Sequence, residues 1–199
     1  MADNKNGREN QAQNEQRRQR ERAIAEELER ADEPEPPVDP TALAYFETEV
    51  ESLEFPATAA DVVAAVGDHE IESTEGTFAV ADLLPAADIE SFESPAEVRT
   101  RVQQPTVASA MKRIVEAADE YQSASFGASQ RDGYEQTFRE LKAIDADDED
   151  EGIRVIADWI IERIHDKEKL PGSRDVRRQA AKFCRSNGYS VSNDDWLGI

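Results

Sequence analysis

Four prolines within seven residues, Pro34, Pro36, Pro37 and Pro40, divide this chain. Proline lacks the backbone N–H that a helix interior or a central strand requires, and it pushes the preceding residue away from helical geometry. No regular element is expected to cross Asp32–Pro40, which reads as an extended spacer. Before the spacer, no large apolar side chain occurs between Met1 and Ile24. Arg17–Glu21, Arg22–Glu26 and Glu26–Arg30 are spaced i,i+4, so opposite charges would neighbour each other on a helix. Residues 8–31 are expected to form a solvated, marginal helix, since nothing apolar packs against it. Residues 1–37 are thus a charged arm. Its arginines Arg17, Arg18, Arg20 and Arg22 are candidates for nucleic-acid contact, with a solvated helix face as the plainer reading.

After the spacer the apolar residues fall into short periodic groups. Leu43, Phe46 and Val50 recur at helical spacing. Thr58 with Asp61 three residues on opens a second helix carrying Val62, Val63 and Val66, closed by Gly67. His69–Thr74 and Thr77–Val80 alternate around Glu75-Gly76 and predict a β-hairpin. Leu83-Leu84-Pro85 reads as a short helix or turn. Ser94-Pro95-Ala96-Glu97 combines an N-cap serine, proline at the first helical position and glutamate at the third, before Val98 and Val102. From residue 105 the pattern is helical. Val107, Met111, Ile114, Val115 and Ala118 share one face. Ser123–Gly133 is polar and loop-like, and Tyr134, Phe138 and Leu141 mark another helix. Ile153, Ile156, Ile160 and Ile164 predict a central helix with a wide apolar face. The last helix is expected to be capped by Ser173 and to end at Asn187-Gly188. The fold class expected is α+β and mostly helical, with a small α+β unit over 38–104 containing one β-hairpin and a helical unit over 105–199.

Composition enters through charge. Asp plus Glu total 44 against 23 Lys plus Arg, giving a formal net charge of -21 spread along the chain, and only six of the basic residues are lysine. This resembles the composition of a cytoplasmic protein from a salt-in halophile. In multi-molar salt the screening length falls to about 3 Å or less, so self-repulsion costs little while carboxylates keep the surface hydrated. An acidic, partly disordered protein is the alternative. No stretch approaches the roughly 20 apolar residues of a membrane span, and no apolar leader follows Met1, so neither membrane insertion nor secretion is expected. One cysteine, Cys184, excludes an internal disulfide, and two histidines, His69 and His165, leave little for a metal or base-catalysed centre. Cys184 reads as a buried inert thiol. No Walker loop, dinucleotide fingerprint or EF-hand spacing occurs. No cofactor, metal or catalytic residue is assigned, and a non-enzyme is expected.

The order Arg17-Arg-Gln-Arg-Glu-Arg22, Glu33-Pro-Glu-Pro-Pro37, Phe55-Pro-Ala-Thr58, Gly67-Asp-His-Glu70 and Ser94-Pro-Ala-Glu97 resembles a small haloarchaeal family with a domain of unknown function, over roughly residues 15–104. The resemblance implies a halophilic setting and a small folded unit, and no chemistry. Separately, Val176–Val191 is similar to two helical modules. They are the C-terminal DNA-binding module of a mycobacterial nucleoid protein and the peripheral-subunit-binding domain of acyltransferase complexes. Asn193-Asp194-Asp195 stands where the former has an arginine-rich loop.

One local feature departs from the acidity. Between Lys167 and Asn187 there are seven basic residues against Glu168 and Asp175, a segment of +5 in a chain of -21. At roughly 100° per residue, Arg174, Arg178, Lys182 and Arg185 fall within one quadrant, with Arg177 adjacent and Val176, Ala180, Phe183 and Cys184 opposite. Three readings stay open. The face pairs internally with the acidic run Asp145–Glu151, docks an acidic protein, or contacts phosphates. Helices at 153–165 and 173–187 resemble the start of a helix-turn-helix. Only eleven residues follow Gly188, so a recognition helix is not expected. Trp196 near the C-terminus is expected to dock back on the helices or to bind a partner. The expected function is an interaction or adaptor protein contacting an unidentified protein through Arg174, Arg177, Arg178, Lys182, Arg185 and Trp196. The alternative is a DNA-associated regulator using the same helix.

Overall fold

The structure, a computed structural model, describes residues 37–39, 41, 43–121, 126–144, 149–190 and 196. Residues 36–199 form one compact unit. The arm, with Arg17, Arg18, Arg20 and Arg22, lies outside the described residues.

The first apolar group forms α1 (Ala44–Val50), with Leu43, Phe46 and Val50 all buried. Thr58 caps α2 (Ala59–Val66) as the spacing predicts. Its hydroxyl accepts from Asp61 N–H at 3.1 Å, and Asp61 accepts from Thr58 N–H at 3.0 Å. The hairpin pairs β2 (Glu70–Ser73) with β3 (Gly76–Ala79) antiparallel, Ile71 opposite Phe78. Gly76 adopts φ 135°, a conformation open to glycine and strained for other residues. Val80, expected at the strand end, instead begins the single turn α3 (Val80–Leu83). A second small sheet escaped the sequence pattern. Strand β1 (Ala57–Thr58) pairs antiparallel with β4 (Ser91–Phe92), two residues each, too short to show alternation.

Helix α4 (Pro95–Val102) begins at Pro95 as expected, but Ser94 makes no side-chain cap. Glu97, expected to complete the cap box, is drawn to Arg131 at 2.8 Å. Then come α5 (Pro105–Asp119), α6 (Ala128–Lys142), α7 (Glu151–Lys167) and α8 (Ser173–Asn187). The loop expected to run to Gly133 is shorter than its composition suggests, because α6 already begins at Ala128. Gly133 lies inside that helix for lack of space: a Cβ there would stand 2.8 Å from Cβ of Ser173.

Two apolar clusters fill the unit. One gathers Phe46, Leu83, Leu84, Phe92 and Val102 with the rest of the α1–α4 core. The other gathers Met111, Ile114, Tyr134, Phe138 and the isoleucine row Ile153, Ile156, Ile160 and Ile164. Each fully buried side chain of this size contributes about 1.5–3 kcal/mol. Helix α5 serves both clusters, with Ala108 in the first and Met111 in the second.

Charged side chains fasten the two halves. Arg101 of α4 is buried between Glu90 and Glu135, donating to Glu90 through Nη2 and to Glu135 through Nε at 2.7 Å. Burial works against its charge, but the two carboxylates more than offset it and hold the guanidinium pKa above its ordinary value. Arg131 of α6 donates to the Ser91 carbonyl and to Glu97, and the guanidinium groups of Arg101 and Arg131 flank the Phe92 ring at 5.7 and 5.5 Å. Among the described residues, no helix is long and apolar enough to cross a membrane.

Candidate interaction surface

Helix α8 sorts its side chains as its periodicity predicts. Val176, Ala180, Ala181 and Cys184 are buried against the second cluster, and the basic residues lie outward. Its start differs from expectation. Gly172 occupies the N-cap position, and Ser173 is already the first helical residue, making no side-chain cap. The Ser173 Cβ occupies room that Gly133 leaves, 2.8 Å from where a Cβ on residue 133 would stand. Its end is as expected, with Gly188 in the left-handed region at φ 71°.

The six sequence-derived candidates do not form one patch. Arg178 and Lys182 are exposed and line a groove. Arg177 instead turns to Trp196, its guanidinium 4.6 Å from the ring centroid and Nη1 donating to the Trp196 carbonyl at 3.5 Å. Trp196 is partly buried and packs on the second cluster. Arg185 is exposed but its Nε donates to the Ala181 carbonyl one turn back, at 3.1 Å. Arg174 is exposed and outside the groove lining.

The groove, about 1260 Å³, is lined by α7, α8, the connection between them and the start of α6 at Gly127–Gln130. Helix α7 contributes Trp159, Arg163 and Lys167, a row at four-residue spacing. Lys169, Leu170 and Pro171 come from the connection between the helices, and Asp175, Arg178 and Lys182 from α8. Five cations thus face one carboxylate among the described lining residues. The Arg163 guanidinium lies 5.3 Å from the Trp159 ring centroid, shielding part of the indole and holding the cation at the wall.

Local chemistry fixes this geometry. Glu168 takes a left-handed conformation at φ 52° and ends α7, turning the chain back. Pro171 is then pinned from α6, its carbonyl accepting from Tyr134 Oη and from Gln130 Nε2 at 2.7 Å. Burial pushes the Tyr134 phenol well above its ordinary pKa, so it remains a donor. Gly133 lets α8 begin directly against α6.

The acidic run does not neutralise this surface through Asp150, which binds Lys142 at 2.6 Å. Lys142 also reaches Glu75. Burial disfavours its charge, but the hydrogen bonds to Asp150 and Glu75 prevail and keep its pKa above 10.5. Asp145 to Asp148 lie outside the described residues. Within the described residues Lys167, Lys169, Arg174 and Lys182 make no ion pair, and Arg178 has only Asp175 at 3.7 Å. An exposed pair at that distance is worth about 0–1 kcal/mol. His69 binds Glu49 at 3.2 Å and His165 binds Tyr121 at 3.1 Å, far apart in sequence and in different parts of the fold.

The sequence pattern counts Lys167 and Lys169 in the basic segment but does not point to Arg163 and Trp159 as partners of α8. The signal available was the i,i+4,i+8 row from Trp159 to Lys167 on the edge of the α7 apolar face. Its juxtaposition with α8 depends on Gly133 and Tyr134.

Residues 40–114 match a family of unknown function (DUF5789), and residues 1–61 match the halobacterial acidic protein family. Together they support an uncharacterised haloarchaeal family, as the motifs between Arg17 and Glu97 suggest. Helices α6 to α8, which carry the basic groove, lie beyond both matched segments. No curated protein and no solved structure matches the chain.

Proposed function

We propose that this haloarchaeal protein is a non-enzymatic, cytoplasmic interaction protein that engages an acidic protein partner through the outward face of α8. One observation carries the reading: among the described residues, the exposed cations Lys167, Lys169, Arg174, Arg178 and Lys182 have almost no internal counterion, in a chain whose net charge is -21. A self-contained acidic protein gains nothing from leaving cations gathered at one place. A partner from the same saline setting is acidic in turn, which makes a basic face a selective contact.

A DNA-associated regulator is the second reading, favoured by the same cations. Salt weighs against it. Each phosphate neutralised releases condensed counterions, so affinity falls steeply as salt rises. Fluorescence anisotropy with labelled polyglutamate and with labelled duplex DNA, titrated against the full chain up to about 3 M KCl, separates the two. The proposal expects polyglutamate binding that Arg178→Glu/Lys182→Glu abolishes, and DNA released well below the highest salt. DNA held at multi-molar KCl and lost in that variant would establish the regulator, and no binding of either anion would overturn both.

A further inference from the structure

Resting on that reading, we infer that the α7–α8 groove takes an acidic peptide segment that carries one apolar side chain, with carboxylates meeting the cations and the apolar group resting on Trp159 and Leu170. The groove is not uniformly polar. Trp159 and Leu170 are partly buried hydrophobics that pack on the second cluster with one side and line the groove with the other. Around them stand Arg163, Lys167 and Lys169 on one side and Arg178 and Lys182 on the other. The lining therefore offers anion contacts on both walls and an apolar floor between them.

That combination selects among anionic partners. A phosphate backbone has no use for an apolar floor, and its affinity rests largely on the release of condensed counterions, a gain that multi-molar salt removes. A peptide keeps two contributions under such salt. Carboxylates in direct contact lie within the screening length, and burial of an apolar group does not depend on charge. Arg163 is already oriented by its stacking on Trp159, so less of its freedom is lost when a carboxylate arrives. Asp175, on the α8 wall beside Arg178, marks where a partner carboxylate is disfavoured.

The test is anisotropy at about 2 M KCl with two labelled Glu-rich peptides, one with a single central Leu and one with Ser in its place. Both are titrated against the full chain and against Lys167→Glu/Lys182→Glu, whose two sites are exposed, with circular dichroism confirming the fold. The inference expects the Leu peptide to bind at least about ten-fold more tightly than the Ser peptide, and the double reversal to weaken it by a further ten-fold or more. Equal binding of both peptides, lost on reversal, overturns the apolar anchor and leaves the acidic-partner reading standing. Leu-peptide binding that survives the reversal overturns the groove as the site. Binding of neither peptide overturns the inference and the reading beneath it, and displacement of the Leu peptide by duplex DNA at this salt transfers the groove to nucleic acid.

Discussion

Replacing Arg101 by methionine is expected to be among the most damaging single changes in this fold. Arg101 and Glu90 are essentially without solvent contact, and Glu135 is largely buried. Removing the guanidinium leaves the Glu90 carboxylate buried with no counterion among the described residues, while Glu135 keeps Arg139 at 3.2 Å. Breaking a buried pair from one side costs about 3–5 kcal/mol. In a unit of this size each kcal/mol shifts Tm by about 2–4 °C, so Arg101→Met is expected to lower it by about 6–20 °C. The pair itself contributes much less than that. Glu90 Oε2 and Arg101 Nη1 are buried without hydrogen-bond partners among the described residues, so desolvation of the network is incompletely offset. The double variant Glu90→Leu/Arg101→Met is accordingly expected to recover most of the loss. Thermal unfolding followed by circular dichroism, at about 1 M and 3 M KCl, measures both. The cost of Arg101→Met changes little between the two salts, because a buried pair is poorly screened. A loss below about 1 kcal/mol, or one that shrinks in proportion to salt, would refute a buried ionic hub joining α4 to α6.

Two further outcomes follow from the geometry. Gly133→Ala sets overpacking of about 1–3 kcal/mol against roughly 1 kcal/mol gained in helix propensity, and Ser173→Gly removes the obstructing Cβ. Urea midpoints of the four proteins in that cycle are expected to show a coupling of about 0.5–3 kcal/mol, and strict additivity would contradict the close approach of α6 and α8. The Asp61 carboxyl accepts from the Thr58 hydroxyl and backbone N–H, which lower its pKa below 3.8. A depressed folded-state value means the stabilisation is complete above 3.8 and disappears as pH falls through the lower, folded value. Carboxyl titration by NMR should find Asp61 below 3.8, and Thr58→Ala should move it back up.

Much of the fold was legible because its signals are local. Thr58 with Asp61, Pro95 at a helix start, Glu75-Gly76 between alternating segments and the isoleucine row of α7 each act within one element. The reading weakened wherever distant residues decide. Ser94 and Ser173 have the right identity for caps, yet neither caps: Arg131 takes Glu97, and α8 starts one residue earlier, with Gly172 at the N-cap position. Gly133 itself suggested a loop, because glycine marks both a turn and a close helix contact. The two-residue pairing of β1 with β4 joins Ala57 to Phe92 and Thr58 to Ser91, 35 and 33 positions apart, and leaves no period to read. Buried arginines look like surface arginines in a sequence with 34% charged residues, so the Arg101 hub was invisible. The basic face of α8 was legible as a wheel pattern. Its selection down to Arg178 and Lys182, and their grouping with Arg163, Lys167 and Lys169 around one groove, required the packing of α6, α7 and α8.

Chemical-shift mapping on the isotope-labelled full chain in multi-molar KCl, with the Leu-bearing acidic peptide added, locates the bound peptide residue by residue. The Trp159 indole N–H and the backbone amides of Lys167, Arg178 and Lys182 are expected to shift together in one saturable process, while the β2–β3 hairpin stays unmoved. An unchanged spectrum, or shifts gathered away from α7 and α8, would contradict binding in the α7–α8 groove.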